Sequence, residues 1–547
     1  MYQSVTLRTL DGSSIWLPGI VACIAHHLPA NEVASTLRLI DKTTSQQFAH
    51  HKTLRLSLPS PIHVFRERWG RPGAFRALSQ NQRLQLLCLT AASGSVANLE
   101  VALVGAGLIL GRELLEAAAA AGQLDMCKVL RARGCPRDAS LADAAKAGHR
   151  HVCEWLLASG CRVNMWVVCS AARGGQEDLM QWLLTELWSR PYGDRYHVGW
   201  NLLGAAAECL SLTALQRLWQ QLRAGRYGSQ RQQQLEQLDE EDRGAILAGA
   251  ACSLTPDWQA KVEWLEGLGY PRMAGACESA VRTCNGDAVE ARLQWLRRRG
   301  YPLEAAAANA AVYFGNLAAL RFLMEQAGVR PTVDEFRVPP EAIRRGHLAV
   351  LQYLHASGLP VNSRSVAEAA ARAGHLPLVA WAVEVLGVAP ADDDAASLLD
   401  RAAASGNLEL MAWLHVRGWA LGPRAIRKGA DSGCEEALEW LLERGCPFPL
   451  DGGTYLGAAG NGDLAMLRCL HRLGCPWGPP GELLTDCITN ELPGAVLQCL
   501  LDLGCPKMEW EGWEGWAQRK PRELYLALVP WLGEDGRLRR SPGPQGA

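Results

Sequence analysis

The chain has 547 residues, with 55 lysines and arginines against 56 aspartates and glutamates, for a formal net charge of −1. That balance argues against whole-chain attraction to nucleic acid or to an anionic membrane, and a hydrophobic content of 48% belongs to folded, not disordered, protein. Met1–Leu10 lacks the basic segment, apolar core and small-residue cleavage site of a secretory signal, and the most apolar run, Val101–Gly111, is about half the length a membrane span needs. The expectation is a soluble protein of the cytoplasm or nucleus, not inserted in a membrane, with no nucleic-acid partner.

Residues 14–50 read as a helical segment. Leu17-Pro18 opens a stripe of Ile20, Val21, Ile24 and Leu28, Pro29 breaks it, and Asn31 is placed to cap a second helix through Val33, Leu37 and Ile40. Residues 51–87 form a bridge with Pro59, Pro61 and Pro72, whose Phe65, Trp69, Phe75 and Leu78 are expected to pack it onto the first repeat.

From residue 88 to 507 one skeleton recurs every 26–31 residues or so, the signature of a repeat architecture. A short Ala-rich stretch such as Leu141–Ala147 ends at Gly148. A second helix then carries Val152, Trp155 and Leu156 on one face and stops at Gly160. In many copies the stop reads Gly-x-Pro, as in Gly134-Cys135-Pro136, Gly300-Tyr301-Pro302 and Gly445-Cys446-Pro447. About fourteen such helix pairs are expected, stacked because one pair cannot bury its own apolar stripe. Insertions interrupt the array at 189–200, 223–243, 330–340 and 388–395. Residues 508–532, with Trp510, Trp513 and Trp516 on one helical face, are expected to cap it, and 533–547 to be a disordered tail.

The eighteen cysteines suit neither a disulfide framework nor a zinc site. Cys135, Cys161, Cys446, Cys475 and Cys505 share a slot with Tyr270, Tyr301 and Leu359, so the slot takes a small or apolar filler, and reduced thiols are expected. No phosphate-binding loop, His-Glu-x-x-His or nucleophile elbow is present. His149, His347 and His375 all follow a repeat glycine, Asp392-Asp393-Asp394 reads as a solvated helix start, and no enzyme, cofactor or metal is expected.

The Ala-Ala-x-x-Gly-His, Leu-x-x-apolar-x-x-aromatic-Leu and Gly-Cys-Pro elements, clean at Ala370–Leu376 and Asn407–Gly418, resemble ankyrin repeats. The Thr-Pro-Leu-His turn of that family is replaced by Ala139-Ser140-Leu141-Ala142, and several copies are short. The resemblance implies an all-α solenoid that binds a protein partner on its concave face, as a monomer, with the histidines bonding neighbouring units. Lys146, Arg173, Arg344 and Arg372, two residues before the repeat glycine, would border that face as a basic strip; scattered solvated charges are the alternative. The 14–50 segment resembles an F-box, which implies a Skp-type adaptor contact through Leu17, Pro18, Ile20, Ile24, Leu28 and Val33 and a role as substrate-recognition subunit of a cullin–RING ubiquitin ligase. The alternative is a scaffold whose N-terminal segment only caps the first repeat. Last, the slot five residues before the closing glycine holds Trp155, Trp264, Trp295, Tyr353, Trp413, Trp440, Cys469 and Cys499, and is expected to be mostly buried.

Overall fold

The computed structural model describes residues 18–136, 140–189, 200–226, 229–284, 286–332, 340–390, 398–422 and 424–506. Leu17, the Trp-rich cap, the tail, Asp392–Asp394 and most of the insertions at 189–200, 330–340 and 388–395 lie outside them. Among the described residues the regular structure is helical, without a β-strand, and helix pairs succeed one another as an all-α repeat solenoid. The chain divides into two compact units, Met1–Phe75 with Gln82–Ser140, and Arg76–Asn81 with Leu141–Ala547.

In the first unit, helices Pro18–His27, Ala30–Ser35 and Lys42–Gln47 surround a small core of Val21, Val33, Leu37 and Phe48. Asn31 does not cap the second helix, because Pro29 holds that position. The Asn31 amide is buried instead and donates to the carbonyls of Arg55 (2.8 Å) and Leu58 (3.0 Å), which pins the bridge to the bundle. Further along, Asn98 donates to the Ser60 carbonyl (2.9 Å) and the helix Ile62–Trp69 packs on Val96–Ala106. The bridge thus lies on the first repeat helices.

The second unit carries the long array. Short inner helices stack in sequence from Met165–Arg173 through Trp200–Cys209, Glu240–Ala251, Gly275–Thr283, Ala305–Phe314, Pro340–Arg344, Ser363–Ala373, Leu398–Ser405, Ala425–Ser432 and Gly453–Gly460 to Glu482–Thr489. Their alanines make this close approach. Where Met165–Arg173 meets its predecessor, a β-carbon on Gly174 would sit 1.7 Å from the Lys146 carbonyl oxygen, so only glycine fits. Outer helices such as Leu408–Val416 pack against the inner helices and bury Leu410, Met411 and Leu414. Of the 223–243 insertion, 229–236 is a helix, and Asp239 caps Glu240–Ala251 through the Asp242 amide (2.7 Å).

A recurrent bond locks the stack. The last carbonyls of an inner helix have no partner within their own helix. Here the following unit supplies a donor. Lys261 donates to the Ala207 carbonyl (3.0 Å) and Arg292 to those of Ala251 (2.8 Å) and Ser253 (2.7 Å). Asn316 reaches the Val281 (3.1 Å) and Cys284 (2.6 Å) carbonyls, and Asn407 that of Gly374 (3.0 Å). His375 Nε2 bonds the Arg344 carbonyl at 2.7 Å, and His347 lies against Gly315, where a β-carbon would meet its ring. Asn316 also caps its own helix through Oδ1 and the Ala319 amide (3.1 Å), so Asn316→Asp keeps the cap and deletes the inter-unit donor. We expect that variant to lose about 1–3 kcal/mol, the cost of stranding buried acceptors. A urea midpoint equal to the parent's would show that the bond adds nothing.

Candidate partner-binding strip on the inner helices

Residues at one position near the C-terminal end of successive inner helices form a row: Lys146, Arg173, Glu208, Cys252, Arg282, Tyr313, Arg344, Arg372, Ala404, Asp431 and Gly460. The four predicted cations all belong to it, spread over its front and middle. Lys146 and Arg372 are exposed. Arg344 is exposed too, but Glu341 holds it at 2.6 Å and takes Arg345 as well. The Arg173 guanidinium lies 5.5 Å from the centroid of Trp166, one helix length earlier on the same helix. Trp166 is 64% exposed, unusual for an indole on a packed array.

Arg282, Glu208, Tyr313 and Trp166 escape a reading from sequence. Arg282 is obscured because Cys284 stands where other copies have glycine, although the small-residue pair before it is a usable signal.

The row is not flat. Where neighbours carry long side chains, Cys252 is short and buried, and a cavity of about 270 Å³ opens there. Its lining includes Arg173, Glu208, Cys209, Thr255 and Thr283, with Leu254 also on it and 74% exposed. Arg282 pairs with Glu208 at 3.6 Å. Beneath, Lys261 is fully buried, bonded to Ser253 Oγ (2.9 Å) and 3.8 Å from Asp257; burial holds its ammonium below the usual lysine range. A second cavity of about 440 Å³ lies between Glu278 and the face formed by Ala306, Asn309, Ala310 and Tyr313. Arg345 lies 5.3 Å from the Tyr313 ring.

Burial pushes the Cys127 and Cys153 thiols up to about 12, the direction opposite to that of a reactive thiolate. The filler reading of the Gly-x-Pro slot needs correction at one copy. Tyr301 is buried, but its hydroxyl donates to Glu266 (2.8 Å), because a neighbouring carboxylate lies within reach.

The aromatic slot is also placed differently from expectation. Cys469 and Cys499 are buried, but Trp155, Trp264, Trp295, Tyr353, Trp413 and Trp440 are only half-buried. The apolar stripe turns the next residue inward and leaves the indole at its border. At three of these slots an arginine four residues on covers the indole, with Arg299 4.8 Å from the Trp295 ring, Arg417 3.7 Å from Trp413 and Arg444 3.8 Å from Trp440.

In the N-terminal bundle, Val33 is core, Ile24 and Leu28 are half-buried, and Pro18 and Ile20 are exposed; Leu17 is not described. Leu39, 64% exposed, and Ile40 are further apolar residues at the surface of the bundle.

No protein-family model and no curated protein matches the sequence. Among solved structures, the pentatricopeptide repeat protein PPR10 in complex with an 18-nt psaJ RNA element is similar at a TM-score of 0.24 and 12% identity, over 93% of this chain and 88% of that one. A cysteine-to-serine variant of the same protein, also with its RNA element, matches to the same extent. At that TM-score no residue correspondence is transferred. The expectation of no nucleic-acid partner is not upheld: both of these similar chains are in complex with an RNA element, a property of those chains. Among the described residues no helix is long and apolar enough to cross a membrane.

Proposed function

We propose that the protein is a non-enzymatic interaction module of ankyrin-like repeats that binds a partner protein along the inner-helix row. The observation that carries this reading is the placing of Lys146, Arg173, Arg282, Arg344 and Arg372 at one position of the inner-helix stack, interrupted by Glu208, Cys252 and Tyr313, with Trp166 exposed on the Arg173 helix and Tyr313 partly exposed within the row. Aromatic and arginine side chains are the usual anchors of protein interfaces. A photo-crosslinking amino acid at Tyr313 or Arg372 is expected to capture a partner polypeptide, while one at Val416, exposed on an outer helix, is not. Equal capture from both faces would refute the row as the binding surface.

The finer reading adds a Skp-type adaptor of a cullin–RING ubiquitin ligase at the N-terminal bundle. It is supported by the exposure of Ile20, Leu39 and Ile40 over a bundle that already has its own core. Ile20→Asp with Ile40→Asp is expected to abolish adaptor co-purification with circular dichroism unchanged, since charge in a desolvated contact costs several kcal/mol. Retained adaptor, or no adaptor bound by the parent protein, leaves the bundle as a cap. The buried thiols fit a reducing compartment, cytoplasm or nucleus.

A further inference from the structure

We propose that the cavity opened at Cys252 seats an acidic side chain of an extended peptide, between Arg173 and Arg282. The inference rests on the row being a protein-binding surface and names the chemistry it selects. The space exists because the row is occupied by cysteine at one step, where its neighbours along the stack include arginine and tyrosine. About 270 Å³ accommodates one polar side chain with its carboxylate.

The charge around it is positive. Lys146, Arg173, Arg282 and the buried Lys261 face Glu208 and Asp257. Arg173 has no carboxylate partner among the described residues; its contact is with the Trp166 ring. Arg282 and Glu208 are 3.6 Å apart, and the arginine side chain is half-exposed, so an incoming carboxylate has a second cation to recruit. A fork of guanidinium donors suits a carboxylate in geometry as well as charge.

Two exposed apolar side chains flank the seat. Trp166 stands on the helix that ends in Arg173, and Leu254 follows Cys252 closely. Packed helices are about 8–10 Å apart and an extended chain advances about 3.3 Å per residue, so about three peptide residues correspond to one step along the row. Leu254 stands at the Cys252 step and Trp166 two steps before it, so the ligand is an acidic residue with apolar residues both beside it and about six positions away, which a short acidic–apolar repeat supplies. An RNA strand is the competing occupant, and its phosphates would have to pass Glu208 in the cavity wall and Glu278 beyond it.

The test uses the full chain and a fluorescein-labelled peptide of four Leu-Ser-Glu triplets, with its Leu-Ser-Gln counterpart as control. By fluorescence anisotropy at low salt, the Glu peptide is expected to bind at least about tenfold tighter than the Gln peptide, with the advantage shrinking as salt rises. Arg173→Gln with Arg282→Gln should erase that advantage while circular dichroism stays unchanged. Cys252→Tyr, which fills the cavity, should also erase it if the variant keeps its circular dichroism; the arginine pair decides if it does not. Equal binding of the two peptides, an advantage that survives the arginine double variant, or displacement of the Glu peptide by an oligouridylate at lower concentration would each overturn the proposal. If peptide discrimination fails while cross-links from Tyr313 and Arg372 to protein persist, the acidic ligand is wrong and the binding row stands. If both fail, the row itself falls.

Discussion

Leu414→Ala is expected to destabilise the protein by about 2–5 kcal/mol, the cost of emptying a fully packed aliphatic site, and Trp413→Ala by only about 1–2 kcal/mol. The order is the reverse of what side-chain size suggests. Leu414 is buried with Leu410 and Met411 on the inward face of its helix. Trp413 is half-buried, so its removal leaves a groove that water enters and not a sealed void. Part of what it loses is the Arg417 contact at 3.7 Å, and cation–π contacts at exposed sites contribute about 0.5–1 kcal/mol. Urea unfolding of the two variants gives the comparison. Hydrogen exchange should place the damage of Leu414→Ala in its own unit and the flanking ones, since stability in such arrays is largely nearest-neighbour. A larger loss for Trp413→Ala would put the aromatic row back in the core.

The second large effect concerns acid. Glu266, nearly buried, accepts from Arg272 (3.2 Å), Tyr301 (2.8 Å) and Arg299 (2.5 Å), the last two contributed by the following unit. Burial opposes its ionisation, but these donors outweigh burial and hold its carboxyl at about 2, against 4.5 ordinarily. A depressed acid stabilises the fold fully above its unfolded value and loses that contribution as pH falls toward the folded one. The window therefore runs from 4.5 down to about 2, and the span corresponds to about 3 kcal/mol at full effect. Glu266→Gln should lower stability at neutral pH by roughly that amount and flatten the pH dependence of the unfolding midpoint inside the window. A parent and variant that lose stability in parallel as pH drops from 5 to about 2 would assign the acid response to other carboxylates.

The repeat pitch is legible because a backbone constraint writes it into the sequence. At Gly445 the chain turns with φ of 82°, and the Cys446 amide reaches back to the Leu441 carbonyl (3.2 Å), a helix stop that strongly favours glycine. Counting back from such glycines places Lys146, Arg173, Arg344 and Arg372 in one row. The same count fails at Arg282, where the glycine is missing, and it cannot see Trp166, which joins the row through space. Periodicity gives the direction of the outer-helix stripe but not its width, so the cysteines in the tryptophan slot point misleadingly to the core. Asn31 has the residue type of a cap, but a tertiary contact with Arg55 and Leu58 claims its amide. Tyr301 looks like filler from sequence because its partner Glu266 lies in the preceding unit, beyond any local pattern.

The bond that joins each unit to the one before it has an asymmetric chemistry. The acceptor is always a main-chain carbonyl, which every residue type provides, while the donor is lysine, arginine, asparagine or histidine as the position allows. Neither side of the joint therefore demands one particular residue. Substitutions can accumulate at it while the helices keep their spacing, as long as some side chain still brings an N–H to the same place. Such an array can lose the letters of its motif and keep its architecture. The joint also has a direction: trimming units from the carboxyl end leaves main-chain carbonyls without their donors, whereas trimming from the amino end leaves side chains such as Lys261, Arg292 or Asn316 without their acceptors.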